Sequence, residues 1–283
     1  MTSLARMLDI IDLFSLQQPV VRAEDVSQRL NYSRATAYRY LKALCDAGFL
    51  SLTSDGVYTL GPRILELERL QHLTDPLLLS SQEIVATLAA ETPGTSFLIC
   101  SSYRDRVLCI HQDGAEHFVT KGRTVPLLRA RGLPFPLFSG GASLAILAFL
   151  SPYRIRALYL DKEQEIAKSG LATSWREFRA RINAIKADGY ALTAGHFNPD
   201  LATIAAPIYT SGGQVIGSLA WVMLREDFAQ RDESACAEQV ITGARAVTAR
   251  LAELAAGVPG TDGGPIGQDE ERGDAAATLK IKK

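Results

Sequence analysis

The most constraining feature of the sequence is the pattern between residues 23 and 60, where two helical segments, a short turn and a hairpin follow one another. Ser33 is a favourable N-cap for the second helix, and Gly48 supplies its C-terminal stop. The pair Asp55-Gly56 then joins two short alternating segments, which is a strong hairpin signal. This order predicts a winged helix-turn-helix in the N-terminal part of the chain.

The second of these helices has no acidic residue between Tyr32 and Cys45. Arg34, Tyr38 and Lys42 lie at positions i, i+4 and i+8, so they share one face. Cations on such a face can meet phosphates or guanine edges in a major groove. A solvated surface helix would show the same pattern, but the hairpin that follows favours DNA. The opposite face should pack in the core and carries Ala37, Leu41 and Leu44. The residues expected to contact DNA are Ser33, Arg34, Ala35, Thr36, Tyr38, Arg39 and Lys42.

The formal net charge of the 283-residue chain is −1, which excludes a polybasic nucleic-acid coat protein. Residues 1–72 hold equal numbers of basic and acidic side chains. Any DNA-binding surface must therefore be local, and a single copy would bind weakly. A dimer that places two such helices one duplex turn apart would overcome this weakness.

Beyond the hairpin the sequence predicts a linker, a second domain and a tail. Pro62 begins one helix and a second ends at Glu91, so residues 62–92 follow the DNA-binding domain, residues 1–61, as a helical linker. Residues 93–256 mix strands and helices, which is typical of an α+β domain. The last residues, 257–283, have few large apolar side chains, which predicts disorder.

The predicted helices span residues 4–16, 23–30, 33–47, 63–72, 77–91, 140–150, 153–158, 174–188 and 230–254. The predicted strands span residues 49–52, 57–60, 96–102, 107–112, 190–194, 202–210 and 215–223.

Several classes of protein are excluded by what the sequence lacks. Its longest apolar stretch, residues 144–150, is far shorter than the roughly 20 residues of a membrane span. Acidic residues near the N-terminus argue against a signal peptide, so we expect a cytoplasmic protein with reduced thiols. The four cysteines form no C-x-x-C pair, and the spacing of His111, His117 and His196 matches no standard zinc pattern. We therefore expect no metal site.

Together, these segments resemble the IclR family of bacterial transcription regulators over nearly the whole chain, up to about Ala256. No single motif identifies the family on its own, but the order and spacing of the motifs together do. The motifs that carry the resemblance are residues 3–8, 33–41, 48–50, 58–61, 133–137, 140–145, 189–191 and 204–208.

The resemblance implies a ligand-responsive DNA-binding regulator with a C-terminal GAF-like effector-binding domain. It also implies a homodimer or a dimer of dimers that binds operator DNA, with no cofactor and no catalytic residue. This chain departs from the family pattern at two positions. Asn31 replaces the usual turn glycine, although asparagine also tolerates a positive φ. Arg22 stands where a Ser or Thr cap would precede the helix predicted over residues 23–30.

Carried onto matching positions, the resemblance also implies an effector pocket. Relative to family members that bind small keto acids, Thr193, Ala220 and Val222 make it less polar, which favours an aromatic or phenolic acid over glyoxylate or pyruvate. The pair Gly140-Gly141 could offer N–H groups to a carboxylate or simply allow tight packing. The candidate effector-binding residues are Leu127, Phe135, Gly141, Ala142, Thr193, His196, Leu201, Thr203, Ala220 and Val222.

Two other functions remain open from the residues alone. Cys100 could act as a nucleophile with His111 as its base, although no oxyanion motif or orienting acid is visible. Alternatively, a small-molecule sensor could act through protein contacts, with a purely structural helix-turn-helix. Cys100 and Cys109 themselves could pack in the core, line the pocket or sense redox state. The leading prediction is a repressor or activator in which the linker helices transmit the effector signal to DNA.

Overall fold

The computed structural model describes residues 2–127, 131–196 and 198–257. The tail predicted for residues 257–283 lies outside this part of the chain except for Gly257. The helices of the described part are α1 Ser3–Leu8, α2 Ala23–Leu30, α3 Arg34–Asp46, α4 Pro62–Thr74, α5 Pro76–Glu91, α6 Gly141–Leu147, α7 Pro152–Lys168, α8 Trp175–Asp188, α9 Arg225–Phe228 and α10 Glu233–Gly257. Its strands are β1 Leu50–Leu52, β2 Tyr58–Leu60, β3 Ser96–Tyr103, β4 Arg106–Gly114, β5 His117–Thr120, β6 Arg123–Pro126, β7 Pro134–Pro136, β8 Ala191–Ala194, β9 Leu201–Tyr209 and β10 Val215–Leu224.

The N-terminal domain is the predicted winged helix-turn-helix. α2 ends at Leu30, its C-cap Asn31 adopts the left-handed conformation with φ 55°, and α3 follows after a short turn. β1 and β2 form the antiparallel wing with Leu50 opposite Leu60. Gly56, at φ +72°, closes the turn of the wing.

The single helix predicted over residues 4–16 is wrong. α1 ends at Leu8, and a separate 3₁₀ turn covers Ile11–Leu13. This break lets Ile10 and Leu13 enter the core of the domain while Leu8 stays exposed. Packing of two apolar residues therefore overrides the helical period.

The C-terminal domain is built on a six-stranded antiparallel sheet with the strand order β7-β4-β3-β10-β9-β8. Helices α5 and α10 cover the face that carries Phe97, Leu219 and Trp221. Helix α6 covers the other face, which carries Leu98 and Ala220 and which we call the effector face. Layers on both faces of an antiparallel sheet give an α+β domain, as the sequence predicts.

Four features of this domain were not predicted. Strands β5 and β6 form a separate hairpin with Phe118 opposite Val125, and β7 is a three-residue edge strand. Helix α9 is a single turn, and α7 continues well beyond the predicted residues 153–158. Only Ile166 is buried in the charged second half of α7, so its apolar period fades there.

Within the described residues, no helix has the length and apolar character needed to cross a membrane.

Candidate DNA-binding surface and effector site

The start of α3 is fixed by the side chains of its first turn. The Thr36 N–H donates to Ser33 Oγ at 3.2 Å, which confirms Ser33 as the N-cap. The hydroxyl groups of these two residues also lie 2.9 Å apart. Two of the seven predicted DNA-contact residues therefore already hold the helix in place.

The two faces of α3 divide as the sequence predicts. Ala37, Leu41 and Leu44 are buried in the core of the domain. Tyr40 is buried as well, and its hydroxyl lies 2.9 Å from Ser3 Oγ, so α1 is anchored to α3. The sequence did not identify this anchor because the two residues are far apart along the chain.

The remaining candidate DNA-contact residues point outward. Arg34, Ala35, Arg39 and Lys42 are exposed, and Tyr38 is 51% exposed. The Arg39 guanidinium carbon lies 5.1 Å from the centre of the Tyr40 ring, which limits its freedom. No ion pair among the described residues involves the three cations. Their charges are therefore available to phosphates.

The wing adds hydroxyl groups rather than positive charge. Its tip consists of Thr53, Ser54, Asp55 and Gly56. Arg22, at the N-cap of α2, reaches this tip and donates to the Asp55 carbonyl at 3.4 Å. Arg22 is exposed and next to the wing, so it joins the candidate surface although the sequence showed it only as a departure from the family pattern.

The candidate effector site is assembled from neighbouring strands of the effector face. In the antiparallel register Thr203 of β9 pairs with Val222 of β10 on one side and Thr193 of β8 on the other. Directly paired residues project from the same face of a sheet. Ala220 lies one step further along β10 and faces the same helix, α6.

Gly141 fits against this threonine pair with no spare room. Its N–H donates to Thr193 Oγ1 at 3.0 Å. A Cβ on Gly141 would lie 3.0 Å from the Thr203 carbonyl oxygen and 3.3 Å from Thr193 Oγ1. The structure thus favours the packing role for this glycine, because the N–H considered for a carboxylate already has an acceptor. Gly140, with φ 78°, provides the turn that brings Gly141 there.

Burial separates the effector candidates into two kinds. Thr193, Thr203, His196 and Leu127 are half-buried, so parts of their side chains remain accessible. Apart from Phe135, the other effector candidates are buried and can contribute only the floor of the site; they are Gly141, Ala142, Leu201, Ala220 and Val222.

Phe135 stands apart from this group. It lies in β7, at the opposite edge of the sheet from Thr193 in β8. There it borders a cavity of about 620 Å³ together with Tyr103 and Lys162. The structure therefore does not place Phe135 beside the two threonines.

Polar side chains lie at the loop that follows Thr193 and β8. His196 Nε2 lies 3.4 Å from Ser139 Oγ, just before Gly140. Arg225 at the start of α9 is exposed, and its Nη1 lies 3.6 Å from the position of a Cβ on Gly195. The sequence did not identify Arg225, because tertiary packing alone brings it to the loop that carries His196.

The β5–β6 hairpin is clamped over the same end of the sheet. Arg123 pairs with Asp200 at 2.6 Å, and Thr120 Oγ1 donates to Glu226 at 2.6 Å. Both bonds join this hairpin to segments that follow β8 and β10. Leu127, the residue after β6, is held beside the effector face by this arrangement.

The geometry contradicts a catalytic pair in which Cys100 is the nucleophile and His111 its base. His111 pairs directly with Ile99, which faces α5 and α10, whereas Cys100 belongs to the effector face. A bulge next to Cys100 shifts the register and separates the two side chains onto opposite faces. Burial lowers the pKa of His111, whose Nε2 has no hydrogen-bond partner among the described residues. No group of three potential metal ligands occurs in the part of the chain that is described.

Comparison with known proteins agrees with this architecture. The family model for the IclR C-terminal domain of bacterial transcriptional regulators matches residues 103–249, and the IclR helix-turn-helix model matches residues 3–53. The Pca regulon regulatory protein of Pseudomonas putida is 25% identical over 221 residues, covering 77% of this chain and 73% of that protein.

Solved structures share the fold at lower identity. An IclR-type regulator of Silicibacter sp. superposes with a TM-score of 0.73 at 18% identity, covering 89% of this chain and 96% of that one. An IclR homologue of Microbacterium hydrocarbonoxydans complexed with 4-hydroxybenzoate gives a TM-score of 0.65 at 20% identity, covering 88% and 99%. Since the C-terminal match alone spans more than half of the chain, this protein belongs to the IclR family, as a DNA-binding transcriptional regulator with an effector-binding domain and not as an enzyme.

Proposed function

We propose that this regulator inserts α3 into the major groove of operator DNA as a dimer or a dimer of dimers. We also propose that its effector is an aromatic or other organic acid. The observation that carries the effector proposal is the half-buried pair Thr193–Thr203, which lies over an apolar floor and beside His196 and Arg225. The N-terminal domain acts as the DNA reader, residues 62–92 as the linker and residues 93–256 as the sensor.

The DNA surface combines exposed cations with a small residue near the groove floor. Arg34, Arg39 and Lys42 make no ion pair in the described part of the chain, so no internal partner competes with phosphates for them. Ala35 leaves room for close approach of the helix to base edges. This arrangement supports direct contact of α3 with DNA.

The linker supports dimer formation. Helix α4 has no buried residue, and its leucines are more than a third exposed; they are Leu65, Leu67, Leu70 and Leu73. Four exposed leucines on one helix are typical of an interaction site. A second copy of α4 would cover these leucines and would fix the spacing of two recognition helices.

The effector site suits a flat acid with a polar end. Because Thr193 Oγ1 accepts the Gly141 N–H, its own hydroxyl hydrogen can donate to a ligand. Arg225 supplies positive charge near the loop that carries His196, which favours a carboxylate. Leu201 and Val222 provide an apolar floor for a ring. A solved relative of the same fold that is complexed with 4-hydroxybenzoate supports this choice.

A titration of the purified protein tests the effector class. We expect 4-hydroxybenzoate or benzoate to raise the melting temperature and to change the affinity for a DNA duplex selected from a random pool. Pyruvate and glyoxylate should have a much weaker effect. Arg225→Gln should weaken the response to benzoate more than the response to uncharged benzamide. A stronger response to pyruvate than to every aromatic acid would contradict the proposal.

A further inference from the structure

Two cysteines lie directly opposite one another on adjacent strands of the effector face. Cys100 of β3 pairs with Cys109 of β4 in the antiparallel register. Both are thiols in the structure, and both belong to the core cluster beneath α6. We propose that this pair is a redox site, which a hydroperoxide oxidises to an intramolecular disulfide that alters DNA binding.

The register gives the pair suitable geometry. Directly opposed residues of antiparallel strands have Cα atoms about 4.5–5.5 Å apart and side chains on the same face. A disulfide needs a Cα separation of about 4.4–6.8 Å, so the backbone can remain close to its present position. The bulge next to Cys100 matters here, because it places Cys109 rather than Ile110 opposite Cys100. Without it the two thiols would project from different faces.

A cavity lies next to one of the two cysteines. Although Cys109 is almost fully buried, it borders a cavity of about 570 Å³ between the linker helix α4 and strand β4. Ile64 and Leu65 form the α4 side of this cavity, and Arg131 lies at its polar end. Hydrogen peroxide is little larger than water, so a cavity of this size admits it.

The reaction is balanced by one molecule of hydrogen peroxide. The thiolate of one cysteine attacks a peroxide oxygen, becomes a sulfenic acid and releases one water after protonation. The thiolate of the second cysteine then attacks the sulfenic sulfur and displaces hydroxide, which takes up a proton and leaves as the second water. Two thiols are oxidised to one disulfide, and the peroxide is reduced to two waters.

The same strand is connected to the linker. The Gly132 N–H donates to the Cys109 carbonyl at 2.9 Å. The adjacent Arg131 donates to the Ile110 carbonyl at 3.1 Å, pairs with Glu68 of α4 and lies 3.3 Å from His72 Nδ1. Even a small shift of β4 at Cys109 on disulfide formation would therefore be passed to α4 through residues 131–132. This connection gives the oxidation a path to the DNA-binding domain.

Mass spectrometry of the full chain tests the chemical step. After treatment with hydrogen peroxide and alkylation under denaturing conditions, we expect two alkylated thiols instead of four. Proteolysis should then release a fragment in which a disulfide, two hydrogen atoms lighter than the two thiols, links Cys100 to Cys109. The double variant Cys45→Ala/Cys236→Ala should behave in the same way, because neither residue takes part. Four alkylated thiols after treatment, or a disulfide to Cys45 or Cys236, would overturn the proposal.

DNA binding tests the regulatory step, which rests on the DNA-binding function. We expect peroxide to change the affinity for a duplex selected by the reduced protein several-fold, and a thiol reductant to reverse the change. Cys100→Ala and Cys109→Ala should each bind the duplex but lose the response. A disulfide that forms without any change in affinity would overturn the regulatory step. Failure of the reduced protein to bind any duplex would instead contradict the proposed function, while the mass measurement would still decide the chemistry.

Discussion

Helix α3 and the effector face of the sheet present their candidate functional side chains in different ways. On α3, Arg34, Arg39 and Lys42 belong to one continuous helix and extend into solvent without an internal ion pair. On the effector face, Thr193 and Thr203 come from two strands and are half-buried against α6. The α3 surface is charged and open, whereas the threonine pair is neutral and tightly fitted.

This difference determines which perturbation each site should feel. Exposed cations act at long range, so salt should weaken their attraction to phosphates. The loss of one cation should leave the others able to bind. Half-buried hydroxyl groups act at contact distance, so small changes of shape should matter and salt should not. Experiments that apply the same perturbation to both sites can therefore break or sharpen the comparison.

Salt should produce the largest difference between the two sites. Three cations on each α3 helix and two copies in a dimer give up to six phosphate contacts from α3 alone, so these contacts should make log affinity fall against log salt with a slope of about −5. Between roughly 50 and 200 mM salt, DNA affinity should fall about a thousandfold. Fluorescence anisotropy of a selected duplex measures this slope.

Effector affinity over the same salt range serves as the internal control. An uncharged analogue such as benzamide should bind with nearly constant affinity, because its contacts are half-buried. A flat salt response of DNA binding would instead favour a sensor that acts through protein contacts.

Removal of one cation should produce the next largest effect. Arg39→Ala should weaken operator binding by about 1–3 kcal/mol if the guanidinium reads a base edge. Its position over the Tyr40 ring restrains the side chain before binding, so little ordering entropy is lost. Anisotropy at fixed salt measures the loss, and effector titration should be unchanged.

Arg69→Ala is a matched control, because Arg69 is an exposed arginine of α4 outside the candidate DNA surface. It should leave operator affinity almost unaltered. Equal losses in both variants would show that bulk charge, rather than the face of α3, determines binding.

The contrast between the sites also explains what the sequence could predict. The faces of α3 follow from a local cap at Ser33 and a helical period, and both are properties of consecutive residues. The helix predicted over residues 4–16 failed because burial of Ile10, a tertiary effect, interrupts the period. Local patterns are therefore reliable where packing agrees with them.

The effector site depends on contacts between distant segments. The hydrogen bond from Gly141 to Thr193 joins residues 52 positions apart, and no local pattern encodes it. The resemblance to the family supplied the threonines, but it could not show that Phe135 lies at the other edge of the sheet. Arg225 was missed because only the fold brings it near Gly195.

A single methyl group should disturb the fitted site more than the open one. Gly141→Ala places a Cβ 3.0 Å from the backbone oxygen of Thr203, which cannot move cheaply. We expect a loss of about 1–3 kcal/mol in the free energy of unfolding of the C-terminal domain. Both tryptophans, Trp175 and Trp221, lie in this domain, so tryptophan fluorescence in a urea titration reports on it selectively.

Gly212→Ala is the control for this substitution, because the nearest atom to its Cβ, Thr210 Oγ1, lies 3.7 Å away. Its urea midpoint should match that of the unmodified protein. An unchanged midpoint for Gly141→Ala would show that the effector face is looser than the structure indicates.

The smallest effect should come from the loss of one hydroxyl group. Thr203→Val keeps the size of the side chain and removes a single hydrogen-bonding group, so affinity for an aromatic acid should fall by about 0.5–1.5 kcal/mol, or several-fold. Phe135→Ala, at the opposite edge of the sheet, should reduce affinity less than Thr203→Val does. Calorimetric titration of both variants with 4-hydroxybenzoate measures the ranking. A larger loss for Phe135→Ala would place the effector near β7 instead of the threonine pair. The comparison with α3 would then have to be made with β7.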